Sequence, residues 1–257
     1  MNLADITPLI LTWNEEPNLR RCLERLRWAS RIVVVDSGST DGTLAIAAEY
    51  PQVEVVERAF DDHMKQWNFG LDHVRTGWVL SLDADYILPE SLKEEMMTCV
   101  LTEGISAYEV SFRYCMFGNP LRGTLYPPRA VLFHKDKCRY AQDGHTQTLK
   151  VEGGIGSLSS IIDHDDRKPL SRWLDSQRKY AVLEAEKLLA EKSPSSLADR
   201  LRKRIWPAVP AAFLYTLFAK RLIFDGWPGM YYVLQRTYAE LLLSLELLDR
   251  KIRQSNS

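Results

Sequence analysis

Two hydrophobic periods alternate along the first hundred residues. Residues 6–13, 31–36, 53–56 and 78–83 each carry a short apolar run and predict buried strands. After the first run, Asn14-Glu15-Glu16-Pro17 reads as a helix start, with a cap residue, an acidic first turn and an early proline. Leu19, Cys22, Leu23 and Leu26 then follow at i, i+3, i+4 and i+7, one face of a helix. A polar loop, Ser37-Gly38-Ser39-Thr40-Asp41-Gly42, leads into a second helix from Thr43, and residues 64–74 form a third. Strands alternating with helices predict an α/β fold, a mostly parallel sheet with helices on both faces.

Beyond Asp85 the rhythm changes. A helix over 89–101 precedes strand-like stretches at 107–117, 129–134, 146–151 and 157–162. Gly118-Asn119, Asp136-Lys137 and Gly153-Gly154 mark the turns between them. A long helical pattern covers 169–192, and Ser193-Pro194-Ser195-Ser196 is the one linker-like stretch. There is no internal repeat.

Composition narrows the class. With 257 residues, 46% hydrophobic and 26% charged, the chain is an ordinary globular protein of one large domain, or one domain with an appendage. A formal charge of −1 argues against a nucleic-acid partner. Cys22, Cys99, Cys115 and Cys138 form no CxxC pair, which argues against a zinc ribbon or a disulfide framework. Met1 to Ile10 lacks a basic stretch before its apolar residues, so the expected location is cytoplasmic. Charge is unevenly spread: from residue 197 onward ten Lys/Arg face five Asp/Glu, giving +5 there and −6 elsewhere.

Ligands of open parallel sheets bind at the carboxyl ends of the strands. Three predicted strands end in polar residues: Thr12, Asn14 and Glu15; Asp36 to Asp41; and Asp83-Ala84-Asp85. An Asp-x-Asp after an apolar strand offers hard oxygen ligands for Mg²⁺ or Mn²⁺, which bridge to phosphate oxygens. Asp36 can accept hydrogen bonds from a base edge or ribose hydroxyls. Neither GxxxxGK[ST] nor GxGxxG occurs. A metal and side-chain cations must then neutralise any diphosphate, and Lys65, beside Gln66 and Asn68, is the candidate cation.

Three segments, Leu11-Thr12-Trp13-Asn14-Glu15-Glu16, Val35-Asp36-Ser37-Gly38-Ser39-Thr40-Asp41-Gly42-Thr43 and Leu82-Asp83-Ala84-Asp85, resemble the successive nucleotide-sugar motifs of family 2 glycosyltransferases. The resemblance runs from Ile6 to about Tyr86. It implies the GT-A fold and an inverting transfer from a nucleotide sugar, usually a UDP-sugar, with a divalent metal. It gives Thr12, Glu15 and Asp36 the base and ribose, Asp83 the ribose or sugar, and Asp85 the metal. Lys65 and Asn68 fall where the family approaches donor groups. More loosely, the second half is similar to the bacterial branch that builds lipopolysaccharide core and surface polysaccharide, through Arg129, Asp143-Gly144-His145-Thr146, His164 and Lys179-Tyr180. That branch often has Glu where this chain has Thr146, and an acidic residue where it has Tyr86.

An inverting transfer needs a base for the acceptor hydroxyl, and Asp143 is the first choice, His145 the second. His164 is a candidate metal ligand with Asp85, and Arg129 can pair with phosphate bidentately. Each has a plain alternative: a turn residue before Gly144, a loop histidine in an acidic turn, an arginine on a solvated face. The expected organisation is a catalytic domain over 1–196, with a donor half to residue 86 and an acceptor half after it, and a basic helical appendage over 197–257.

In the appendage, Arg200-Leu201-Arg202-Lys203-Arg204 precedes fifteen uncharged residues, 205–219, too few for the ~20 that span a bilayer. A break is expected at Phe224-Asp225-Gly226-Trp227-Pro228-Gly229, then a helix from Met230 to about Leu248. Basic residues, aromatics and interrupted apolar runs point to helices lying on an anionic membrane, at the inner face of the cell membrane where a lipid-linked or glycolipid acceptor is met. The alternative is a helical hairpin packed on the catalytic domain or on a second copy of the chain. Two other functions compete: a non-catalytic nucleotide-binding scaffold, and a Mg²⁺-dependent phosphatase with Asp83 as nucleophile. The phosphatase wants its Asp-x-Asp on the first strand, and here it is on the fourth.

Overall fold

The computed structural model describes residues 1–98, 104–143, 146–190 and 196–255. They divide into two compact units, Met1–Gly118 with Leu125–Arg167, and Asn119–Thr124 with Lys168–Ser257.

The first unit opens with β1 (Ile6–Thr12), α1 (Leu19–Glu24), β2 (Ile32–Asp36), α2 (Thr43–Ala48), β3 (Val53–Glu57), α3 (His63–His73) and β4 (Trp78–Asp83). β5 (Tyr86–Ile87), α4 (Glu90–Thr98) and the twelve-residue β6 (Ile105–Met116) follow. The two-residue β7 (Asn119–Pro120) belongs to the second unit. β8 (Arg129–His134), β9 (Cys138–Asp143), β10 (Thr146–Val151) and β11 (Gly154–His164) complete the first. The sheet runs β3-β2-β1-β4-β8-β6-β11-β5. β3, β2, β1 and β4 are mutually parallel, β8 is antiparallel to both β4 and β6, and β11 returns parallel to β6.

Side-chain alternation in the strands explains the two covered faces. Ile32 and Val34 of β2 join Ile6 and Ile10 of β1 in a core closed by Leu19, Cys22 and Leu23 of α1 and Ile46 and Ala47 of α2. Val33 and Val35 point the other way, with Leu9, toward Trp67 and Leu71 of α3. Gly70 lets α3 approach: a Cβ there would sit 2.6 Å from Leu9 Cδ1 and 2.9 Å from Val35 Cγ2. Gly70→Ala gains about 1 kcal/mol of helix propensity but overpacks a closed interface at a cost of about 1–3 kcal/mol. A net loss of about 1 kcal/mol is expected in urea unfolding; a gain would mean that α3 backs away from the sheet freely.

Most predicted elements stand within two residues of their expected ends. β9 is an addition: it pairs antiparallel with β10 as a separate hairpin, from Cys138↔Val151 to Asp143↔Thr146. The last predicted turn of α4, up to residue 101, lies outside the described residues.

The second unit contains α5 (Leu170–Ala190), α6 (Leu197–Arg204), α7 (Ala208–Leu214), a π-helical turn (Tyr215–Ala219), a 3₁₀ turn (Leu222–Asp225) and α8 (Gly226–Ser255). Its core joins Ala181, Ala185 and Leu188 of α5 to Ile205 and to Leu243 and Leu247 of α8. The compact division therefore falls at residues 167/168, whereas the charge step at 196/197 lies inside this unit. Packing of α5 on α8 decides the boundary, and composition does not register it. The expected break at 224–229 falls where the 3₁₀ turn ends at Asp225 and Gly226 takes a φ of 61°, but α8 starts there rather than at Met230, because a proline in the first helical turn costs no intrahelical hydrogen bond. No described helix is long and apolar enough to cross a membrane.

Candidate active site

The strand register builds the crest of the site. Thr12 stands opposite Asp36, and Leu11 opposite Asp83. The carboxyl ends of β1, β2 and β4 thus meet at the switch between β2-β1 and β4, where α/β sheets open a ligand crevice.

At this crest Asp36 is fully buried. Its Oδ1 accepts the backbone N–H groups of Gly38 (2.9 Å) and Ser39 (2.7 Å), and its Oδ2 accepts the hydroxyls of Thr12 (2.8 Å) and Ser39 (2.6 Å). Four donors hold the carboxylate at the mouth of the loop it shapes. Asn14 adopts a φ of 54°, a left-handed conformation that Asn tolerates. Its N–H donates to Ser39 Oγ (2.7 Å) and its Oδ1 accepts from Thr40 N (2.7 Å), so it fastens the loop after β1 to the loop after β2. Asp41 accepts from both the backbone and the hydroxyl of Thr43, and these bonds outweigh burial to keep its pKa low.

Asn18 ties this end to the far side. Fully buried, it donates from Nδ2 to Glu15 Oε2 (3.0 Å) and Asp166 Oδ1 (2.9 Å). Its Oδ1 accepts from Arg21 Nη2 (2.8 Å) and Arg167 N (2.9 Å). Arg21 and Arg167 also converge on Asp165, at 2.7 and 2.9 Å.

The Asp83-Ala84-Asp85 segment starts on the last residue of β4. Asp83 is half-buried at the end of β4, and its charge reaches His63, Tyr126, Arg129 and Tyr140. Ala84 is buried, where its small side chain joins the core. Asp85 is buried with Oδ2 3.2 Å from His164 Nε2. Three tyrosines surround the imidazole, Tyr114, Tyr126 and Tyr86, at ring-centroid distances of 4.5, 5.0 and 5.4 Å. Burial disfavours the imidazolium, but the Asp85 carboxylate outweighs it and raises the His164 pKa. Tyr86 and Tyr126 share a 2.6 Å hydroxyl contact, and burial pushes both phenols up. The Arg129 guanidinium lies over the Tyr126 ring at 4.3 Å.

The donor set suits a hard divalent cation. No described cluster of three His, Cys, Asp or Glu forms a ready-made cage. Mg²⁺ and Mn²⁺ do not require one, since one or two protein ligands with substrate phosphates and water complete an octahedron. Asp85 and His164 supply an oxygen and a nitrogen side by side, as neighbouring ligands on one ion would stand.

Several expected residues have partners within the fold. Lys65 Nζ pairs with Asp61 at 3.1 Å and Asp62 at 3.0 Å, on the exposed start of its own helix. Asn68 clamps β9, donating to Tyr140 O (2.9 Å) and accepting from Tyr140 N (3.1 Å), while Trp67 stacks on the Tyr140 ring. Asp143 ends β9 opposite Thr146, and His145 lies outside the described residues. Sequence reasoning missed Asn18, Tyr114, Tyr126 and His63. Only Tyr126, ahead of Pro127-Pro128 and a strand, carried any local signal.

A model of the glycosyl transferase family 2 matches residues 9–161, more than half of the chain. The lipopolysaccharide core biosynthesis glycosyltransferase LpsC of Rhizobium meliloti is 27% identical, over 87% of this chain and 84% of its own length. An uncharacterised glycosyltransferase of Rickettsia conorii is 34% identical, over 98% of this chain and 92% of its own. Among solved structures, S. aureus TarS in complex with UDP-GlcNAc is similar with a TM-score of 0.46 and 15% identity, over 97% of this chain and 92% of that one. The crest of strand ends, its register and the family match lead to one statement: the chain belongs to glycosyl transferase family 2 and is a glycosyltransferase of the GT-A fold.

Proposed function

We propose that the chain moves a sugar, with inversion, from a UDP-sugar or related nucleotide sugar to a lipid-linked or glycolipid acceptor of lipopolysaccharide core or surface-polysaccharide assembly, at the inner face of the cell membrane. The observation that carries this reading is the meeting of Thr12, Asp36 and Asp83 at one crest, with Asp85 against His164. The similarity to LpsC supports the lipopolysaccharide acceptor.

In this reading the loops fastened by Asp36 and Asn14 receive base and ribose, and Asp83 takes a ribose or sugar hydroxyl. Asp85 and His164 hold Mg²⁺ or Mn²⁺, which when bound supplies Lewis-acid neutralisation of the leaving diphosphate. Arg129, stacked on Tyr126, offers a guanidinium to the phosphates. The acceptor oxygen bonds to the anomeric carbon as the bond to the diphosphate oxygen breaks, and the hydroxyl proton passes to Asp143, or to His145.

The test is donor-dependent release of nucleoside diphosphate across a panel of nucleotide sugars with Mn²⁺ or Mg²⁺ and a lipopolysaccharide-core acceptor. Asp143→Asn should cut turnover by roughly 10²–10⁴-fold, the usual contribution of general acid–base catalysis, with donor affinity by calorimetry unchanged. A near-normal Asp143→Asn rate beside a collapsed His145→Ala rate assigns the base to His145. Absence of release with every donor sinks the proposal.

A further inference from the structure

We propose that Tyr126 is a positioning residue for the transfer: its ring, pinned by the Tyr86 hydroxyl and by Phe112, is the platform that holds the Arg129 guanidinium ready for the diphosphate of the donor. The proposal rests on the nucleotide-sugar reading above and adds to it a residue outside the strand-end motifs.

Arg129 opens β8, and its guanidinium lies over the Tyr126 ring at 4.3 Å. Among the described residues that guanidinium makes no hydrogen bond and no ion pair. A ring meets the flat face of a guanidinium, whereas a phosphate meets the N–H groups at its edge. Stacking on Tyr126 therefore fixes the group and leaves its donors for a ligand, where an ion pair would use them. Arginine loses much rotamer freedom when it is fixed. A guanidinium already held flat has less ordering left to do when phosphate arrives.

The ring itself is held on several sides. Tyr126 precedes Pro127-Pro128, which restricts its backbone to the extended region. Its hydroxyl meets that of the buried Tyr86 at 2.6 Å. Phe112 of β6 stands edge-on to the ring at 5.1 Å and packs on Tyr86 at 4.9 Å. His164 approaches at 5.0 Å, so one ring lies between the arginine and the imidazole beside Asp85. Burial keeps both phenols protonated, and the hydroxyl pair brings no charge to the site. A carboxylate at position 86 would instead compete with phosphate for the guanidinium.

The experiment compares UDP binding, by calorimetry with Mn²⁺ present, with uridine binding, by ligand-observed NMR. Tyr126→Leu removes the platform. A cation–π contact is worth roughly threefold to thirtyfold in an equilibrium constant, so UDP should bind about tenfold more weakly. Uridine should bind as it does to the parent chain, because base and ribose are assigned to the loops of Thr12 and Asp36. Tyr126→Phe keeps the ring and loses only the bond to Tyr86, so it should stay within about threefold of the parent. In an Arg129→Gln background, Tyr126→Leu should cost UDP nothing further, since the ring acts through the arginine. Equal losses for UDP and uridine would mark a merely structural role and overturn the proposal. So would losses that add to those of Arg129→Gln. Arg129 is exposed, so Arg129→Gln tests the platform even if Tyr126→Leu does not fold: parental UDP affinity in that variant also overturns it. A parent chain that binds no UDP overturns this inference, and the donor panel then decides separately whether the transfer reading falls with it.

Discussion

Asp85→Ala is expected to abolish sugar transfer, and a chelator should bring the unaltered chain to the same floor. Lewis-acid neutralisation of a leaving group is worth several kcal/mol. At 1.36 kcal/mol per factor of ten, a loss of about 4 kcal/mol is roughly a thousandfold in rate. The change is local in the fold: Asp85 gives up its 3.2 Å contact with His164, a largely covered imidazole that loses a partner at a cost of about 1–3 kcal/mol. Metal binding separates the two effects. With UDP present, Mn²⁺ should raise the melting temperature of the parent chain by mass action and leave that of Asp85→Ala unmoved. Asp83→Ala should weaken donor binding as well as turnover, since Asp83 is the half-buried carboxylate at the end of β4. An Asp85→Ala protein that turns over at the parental rate in a chelator refutes a metal-dependent reaction.

The second large effect concerns stability. Asn18→Ala should cost the first unit about 3–5 kcal/mol, read from the urea midpoint of a probe in that unit. The side chain is fully buried and makes four hydrogen bonds of 2.8–3.0 Å, three of them to charged groups. A hydrogen bond to a charge is worth about 1.5–3 kcal/mol, and water entering the vacated space recovers part of it. The amide orientation follows from its neighbours: Nδ2 faces two carboxylates, and Oδ1 faces a guanidinium and a backbone N–H. Asn18→Asp, with an isosteric side chain, should therefore be worse than Asn18→Ala, because it sets a carboxylate against Glu15 and Asp166. A loss under about 1 kcal/mol for Asn18→Ala would show that the two sides of this network hold without it.

The β1–β4 part of the sheet was legible because its signals are local. The apolar runs at 32–35 and 78–82 need no partner to be recognised, and the polar residues that end them stand at the crest by strand geometry alone. The motifs at Thr12, Asp36 and Asp83-Ala84-Asp85 then carried the family resemblance. What stayed hidden depends on contacts between distant residues. Asn18 looked like part of a helix start, and its bonds to Asp166 and Arg167 span about 150 positions. Lys65 looked available for phosphate until Asp61 and Asp62 came within reach. β9 escaped because Cys138-Arg139-Tyr140-Ala141 mixes polar with apolar residues, and its inward side is fixed by Trp67 and Asn68 of α3. The division at 167/168 escaped because α5 chooses its partner by packing on α8.

The grip of α3 on β9 has an engineering consequence. Asn68 bonds both backbone groups of Tyr140, Trp67 stacks on its ring, and Tyr140 Oη reaches Ser81 Oγ at 3.1 Å. The root of the β9–β10 hairpin is thereby soldered to α3, while Asp143 and Thr146 stand opposite each other at its far end. A graft boundary follows. Exchanging residues 141–148 for those of a related enzyme leaves the solder joint whole, so the tip can be swapped as a cartridge while the α3–Tyr140 contacts stay as they are.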